Sequence, residues 1–249
     1  MFKQRRITKA ERKEIRARKR NRRKLLIALR NIILSILVII VIIIVIIFYS
    51  GYSLYKEVIN NNSIEDKIKE IKNDENYVKI DEVTQYYKDA VVAVEDHRFY
   101  DHHGFDLITT INAAFNNFKT KSLGQGGSTI TQQLAKNMYF SQEKKFTRKV
   151  AELFVSFDLE NKLSKDEILE LYINIIYFGD GYYGIKEASN GYYNKEPIDL
   201  TLEEAIMIAG LPAAPSVYSP TVNERLANER YKQVESAMFK YGYIEKESN

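Results

Sequence analysis

The chain has 249 residues, enough for one domain with a sizeable core and small appendages. Its net charge of +4 hides an asymmetry: residues 1–30 carry 14 basic and two acidic side chains, a net of +12, so the remainder nets −8. Basic charge confined to one tail argues against a nucleic-acid-binding domain. The absence of Cys excludes a disulfide framework, a thiolate metal site and a Cys nucleophile, and 45% hydrophobic residues with 18 Tyr and 12 Phe exclude a wholly disordered chain.

In chain order, the basic tail 1–24 leads into an apolar segment, 25–49, whose core Ile32–Tyr49 (IILSILVIIVIIIVIIFY) holds 18 residues without a charge. At 1.5 Å rise per residue that core spans roughly 27 Å, close to the hydrocarbon thickness of a bilayer. A buried core helix is disfavoured by hydrophobicity on every side. A cleaved signal peptide is disfavoured by length and by the lack of an A-x-A-like site, Ser50-Gly51-Tyr52-Ser53 being a weak substitute. Lys and Arg beside a span stay in the cytoplasm, so residues 50–249 are expected outside it. The tail then sets topology and meets anionic lipid.

Residues 50–82 read as a connector in which Asn60-Asn61-Asn62-Ser63 caps a short charged helix over 64–72 and Asn73-Asp74-Glu75-Asn76 breaks it. The domain proper is expected over 83–249. All four Pro lie from Pro197 onward, which leaves 77–196 free to be helical. Ser164-Lys165-Asp166-Glu167 is a capping box with Leu163 and Ile168 as its staple, and Thr201-Leu202-Glu203-Glu204 repeats the box, with Gly210 and Pro212 as stop signals. A last amphipathic helix is expected over 223–240, before Gly242. Strand alternation is scarce, so the outer domain reads as mainly α.

Four segments carry candidate chemistry. A helix entered at Tyr86, if it runs on to Gly104, puts Glu95, Phe99 and His102 on one face at i, i+4 and i+7. A carboxylate beside an aromatic ring at the end of an apolar helix suits a general acid or base, against the plainer reading of a charged, solvated helix end. All three His lie within 97–103, which raises a metal site, although no H-E-x-x-H-like spacing occurs. Next, Leu123-Gly124-Gln125-Gly126-Gly127 feeds a helix opened by Ser128 or Thr129, an N-terminus suited to an anion, with Thr129, Gln133 and Lys136 as a polar stripe. No Lys-Ser/Thr follows the glycines, so it is not a P-loop. Arg148-Lys149-Val150-Ala151-Glu152 is either a surface i, i+4 pair or a phosphate-binding cation with a second carboxylate. In Ile168–Gly179, Glu170 and Asn174 read as packing and support for a site.

Taken together and in this order, the segments resemble the peptidoglycan glycosyltransferase family, which polymerises lipid II. E-D-x-x-F-x-x-H-x-G-x-D matches from Glu95 to Asp106, and G-G-S-T-I-T-Q-Q-L-x-K-N from Gly126 to Asn137. R-K-x-x-E matches Arg148 to Glu152, I-L-E-x-Y-x-N matches Ile168 to Asn174, and the run from Ala209 to Pro220 resembles the last motif. The resemblance implies a lysozyme-like, two-lobed helical domain behind a single transmembrane helix. It implies Glu95 as the base for the acceptor sugar's 4-hydroxyl and Glu152 as a second glutamate placing the donor pyrophosphate or a metal. Asp96, Phe99 and His102 match first-motif site residues. Ser128, Thr129, Gln133, Lys136, Asn137, Arg148 and Lys149 match positions near the phosphates and sugars. Magnesium or manganese assists some members; no organic cofactor is implied. Lipid II, lipid-linked glycan, the membrane and other cell-wall synthesis proteins are the implied partners, moenomycin the implied inhibitor, and no nucleic acid.

Two departures stand out. Asn190-Gly191-Tyr192-Tyr193 replaces a more usual Tyr-Phe-Gly pattern. Relatives often continue into a transpeptidase domain, whereas here Ser53-Leu-Tyr-Lys56 and Ser141-Gln-Glu-Lys144 are chance S-x-x-K matches without a Lys-Thr-Gly, so a monofunctional enzyme is expected. The competing readings are a lysozyme-like muramidase or lytic transglycosylase, which must protonate a sugar oxygen, and a catalytically silent cell-wall scaffold. The helical run from Leu107 to Phe118, with Ile108, Ile111, Ala113, Ala114, Phe115 and Phe118, either dips into the bilayer surface or packs in the core.

Overall fold

The computed structural model describes residues 9–120, 126–140 and 146–245. The glycine-rich entry Leu123–Gln125, the Ser141–Lys144 match and the first eight residues of the basic tail lie outside the described residues. The chain divides into two units, Met1–Ser50 and Gly51–Asn249.

The first unit is the main part of α1 (Lys9–Asn61), and its apolar side chains from Leu25 through Ile46, with Phe48, are exposed. That helix is long and apolar enough to cross a membrane.

Among the described residues, the regular structure of the second unit is helical apart from one small hairpin. Its elements are the end of α1, α2 (Ile64–Lys72), α3 (Gln85–Glu95), α4 (Leu107–Thr120), α5 (Ile130–Tyr139), α6 (Phe146–Lys162) and α7 (Lys165–Ile175). Then come β1 (Tyr177–Gly179), β2 (Tyr182–Tyr183), α8 (Gly184–Tyr193), α9 (Leu202–Gly210), α10 (Pro215–Tyr218) and α11 (Glu224–Lys240). β1 and β2 pair antiparallel. The expected caps are present: the Ser63 side chain accepts from the Asp66 N–H, and Ser164 and Thr201 each close a box with a glutamate three residues on. Gly242 takes φ +80° just past α11, the left-handed stop that favours glycine.

The segment expected as a connector is built into this unit, giving Tyr55, Ile64 and Val78 to the core. Gly51 lets the end of α1 lie flat on α6, since a Cβ there would stand 2.5 Å from that of Val150.

Two helix groups share the core. α3, α9 and α11 pack on one another, and α5 packs on both α6 and α7. Tyr87, Phe99, Leu134, Leu159, Tyr172 and Phe178 have essentially no accessible surface. Burying side chains of this size contributes about 1.5–3 kcal/mol each. The resulting domain is mainly α and two-lobed, as expected. α4 departs from ordinary core packing: Ala113 is buried, but Leu107, Ile108, Ile111 and Phe115 are 53–67% exposed.

Candidate active site

The helical run entered at Tyr86 ends at Glu95 and does not continue to Gly104, so the shared face of Glu95, Phe99 and His102 that continuation would have given does not form. The cause is non-local. Asp96 leaves helical geometry (φ −158°, ψ 73°), and its carboxylate accepts from the Ile130 N–H at 3.0 Å, at the start of α5, and pairs with His102 Nε2 at 2.9 Å. Capping a helix 34 residues away replaces one more turn of α3 and ties the end of α3 to the beginning of α5. Glu95, the last helical residue, therefore faces Gln133, one turn into α5. Gln133 Nε2 donates to Glu95 Oε2 at 2.8 Å. On the other side Arg230 Nη2 of α11 stands 3.4 Å from Glu95 Oε1.

Arg230 was not legible as a site residue. Its own geometry is well determined: Nε donates to the Gly210 carbonyl at 3.2 Å, Nη1 to Gln233, and the guanidinium lies over the Tyr218 ring at 5.7 Å. Gly210 makes room, because a Cβ there would come within 2.9 Å of Arg230 Cγ. The only sequence signal was indirect: Gly210 and Tyr218 both belong to the run resembling the last family motif.

Across from Glu95, α5 and α6 present cations. Glu152 is fully buried, with Arg148 Nε at 3.2 Å and Lys149 Nζ at 2.9 Å, so the i, i+4 pair is an interior one and not a surface pair. Lys149 also donates to Ser128 Oγ at 2.7 Å. Among the described residues the Lys136 ammonium makes no ion pair or hydrogen bond. Burial and the neighbouring Arg148 charge hold its ammonium below the usual lysine range, with Glu152 pulling the other way.

These groups share one cleft of about 710 Å³, lined from both helix groups and holding Glu95, Gln133, Arg230, Ser128, Lys136, Arg148 and Lys149. Other residues expected at the site lie behind its walls. Phe99 has no accessible surface, Asp96 is 3% exposed, and the His102 side chain is 5% exposed. Thr129 is buried as the N-cap of α5, its hydroxyl donating to the Gly104 carbonyl at 2.8 Å, so of the Thr129–Gln133–Lys136 stripe only the last two line the cleft. Asn137 is exposed and lines no part of the cleft. Glu170 and Asn174 turn away to bind the 77–80 segment, Glu170 accepting from the Ile80 N–H at 2.8 Å and Asn174 from the Val78 N–H at 2.9 Å.

The three His diverge. His97 stacks on Tyr241 at 4.2 Å, its imidazole pushed down by burial, while His102 goes to Asp96 and His103 to Asn161. Among the described residues no group of three or more His, Asp or Glu side chains is placed to hold a metal. Glu152, the carboxylate among the cations, has both oxygens facing Arg148 and Lys149, so it offers a divalent ion no open ligand set.

A lysozyme-like helical domain whose cleft sets one carboxylate against a row of cations is the build of a cleft enzyme. A family model described as Transglycosylase matches residues 61–239, and the chain belongs to that family. It is 48% identical to penicillin-binding protein 1A of Neisseria flavescens over 68% of this chain and 21% of that protein. It is 44% identical to penicillin-binding protein 1F of Bacillus subtilis over 67% of this chain and 23% of that protein. The chain thus spans about a fifth of the length of these relatives. A crystal structure of penicillin-binding protein 1A from Haemophilus influenzae shares 34% identity over 47% of this chain and 14% of that one, at a TM-score of 0.32.

Proposed function

We propose that the chain is a peptidoglycan glycosyltransferase that polymerises lipid II into β-1,4-linked glycan, with inversion and release of undecaprenyl pyrophosphate. The observation that carries this reading is the pairing of Glu95 with Lys136, Arg148 and Lys149 in one cleft. A pyrophosphate is already a good leaving group. The transition state therefore needs positive charge on the departing oxygens and one acceptor for the proton of the attacking hydroxyl. In this reading the acceptor 4-hydroxyl oxygen bonds to the donor C1, the C1–O bond to pyrophosphate breaks, and the hydroxyl proton passes to Glu95. The cations of α5 and α6 receive the growing phosphate charge, and Glu152 holds Arg148 and Lys149 in place.

The hydrolase reading is less well supported. A muramidase must deliver a proton to a sugar oxygen, whereas both Glu95 oxygens face donors, on Gln133 and Arg230. It also has no use for the cation wall.

Substrate and location belong together. α1 is proposed as a single-pass anchor with its basic end in the cytoplasm and the catalytic unit outside. The exposed apolar face of α4 is proposed to rest in lipid, where a lipid-borne substrate is concentrated. Protease added outside spheroplasts should digest the catalytic unit while sparing the tail; protection of that unit would reverse the orientation.

The direct test is a gel assay with purified full-length protein and lipid II. The expected product is long glycan, blocked by moenomycin and lost in Glu95→Gln without loss of fold. Cleavage of finished glycan with no use of lipid II would establish the hydrolase instead.

A further inference from the structure

Two tyrosines are completely buried near Glu95, and only one of them is connected to it. Tyr172, on α7, donates its phenol hydrogen to Gln133 Oε1 at 3.3 Å, and Gln133 Nε2 in turn donates to Glu95 Oε2 at 2.8 Å. Tyr87, on α3, is equally buried, and its hydroxyl has no hydrogen-bond partner among the described residues.

We propose that Tyr172 is a positioning residue for Glu95, acting through the side-chain amide of Gln133. The inference rests on the reading of Glu95 as the proton acceptor. The two ends of a glutamine amide have nearly the same shape, so packing alone does not decide which one faces a neighbour. If Gln133 were turned over, its oxygen would sit against Glu95 Oε2, two acceptors at hydrogen-bond distance. Tyr172 works against that flip from behind. Its phenol is sealed from solvent, and among the described residues Gln133 Oε1 is the one acceptor within reach, so a flipped amide would strand a buried hydroxyl donor. Burial and the nearby Glu95 charge also push this phenol far up, so it stays a donor at any working pH. The capping box of Thr129 and Gln132 fixes the first turn of α5, so the amide is what remains to be oriented. Tyr172→Gln133→Glu95 is therefore a directed chain in which each link has its donor end toward the carboxylate.

The test uses the full-length protein in lipid II polymerisation. Tyr172→Phe removes the phenol hydrogen and keeps the ring. It is expected to lower kcat about tenfold with KM within about twofold, because the loss is one of orientation and not of ligand contact. Tyr87→Phe, equally buried and unconnected, is expected to leave both constants unchanged. In a Gln133→Met background, Tyr172→Phe is expected to have no further effect, whereas full additivity of the two losses would overturn the proposal. A crystal structure of Tyr172→Phe supplies a readout that needs no activity. The Gln133 amide is expected to leave Glu95, and an amide still donating at 2.8 Å would overturn the proposal. A wild-type protein that makes no glycan while the amide moves as expected would refute the glycosyltransferase reading and leave the orientation chain standing.

Discussion

The two walls of the cleft handle a glutamate in opposite ways. On the α3–α11 wall, Glu95 ends a helix, is 12% exposed, and is held by one amide and one guanidinium at 3.4 Å. On the α5–α6 wall, Glu152 sits mid-helix with no exposure and is enclosed by Arg148 and Lys149. The same functional group is left available in one setting and consumed as a counter-charge in the other. Environment and not residue type distinguishes the two glutamates, and in the proposed reading this separates proton handling from anion handling.

That division can be broken most sharply at Glu95. Glu95→Gln should lower polymerisation by about three orders of magnitude, within the range of a lost general base, at nearly unchanged thermal midpoint. A variant retaining a tenth of the wild-type rate would show that the base lies elsewhere.

Lys136→Met should cost about a hundredfold in rate, as for one lost charge-stabilising group, while making the protein more stable. The sign follows from the lowered pKa of this lysine. A lysine that binds its proton more weakly when folded costs stability while charged. The cost fades as pH rises through its lowered pKa toward the ordinary value of 10.5. The gain in thermal midpoint over wild type should thus be largest near neutral pH and shrink in alkali; a gain that grows with pH would refute the assignment.

Glu152→Gln should act mainly on the fold. Leaving Arg148 and Lys149 facing a neutral amide should lower stability by about 3 kcal/mol, toward the low end for a broken buried pair because Lys149 is 48% exposed. Rate should fall about tenfold through misplaced cations. A stable variant with a rate loss matching that of Glu95→Gln would erase the distinction between the walls.

Local features of this architecture could be read from the chain, and features that join distant segments could not. The caps at Ser63, Ser164 and Thr201 involve partners three residues away, and each is present. The last helix, expected over 223–240, is Glu224–Lys240. Whether α3 runs on past Val94 stayed open in the sequence, because the partner of Asp96 that stops it is a backbone N–H on another helix. Arg230 stayed invisible because it lies 135 residues from Glu95 on a helix that reads as ordinary and amphipathic. In the segment 168–179 Glu170 and Asn174 read as support for the site, whereas Tyr172 between them is the residue that hydrogen-bonds Gln133, a side chain of the cleft wall. Helix periodicity shows which residues share a face, not which neighbour that face meets.

The buried Glu152 also sets the bookkeeping of the anion wall. Among the described residues, Lys136, Arg148 and Lys149 less Glu152 leave a formal surplus of two positive charges. A pyrophosphate esterified at both ends carries two negative ones, so the occupied wall approaches electroneutrality. A single phosphate diester would leave the surplus half met and a triphosphate would exceed it. If the proposed donor binds there, the wall would discriminate by ionic valence before any sugar is recognised.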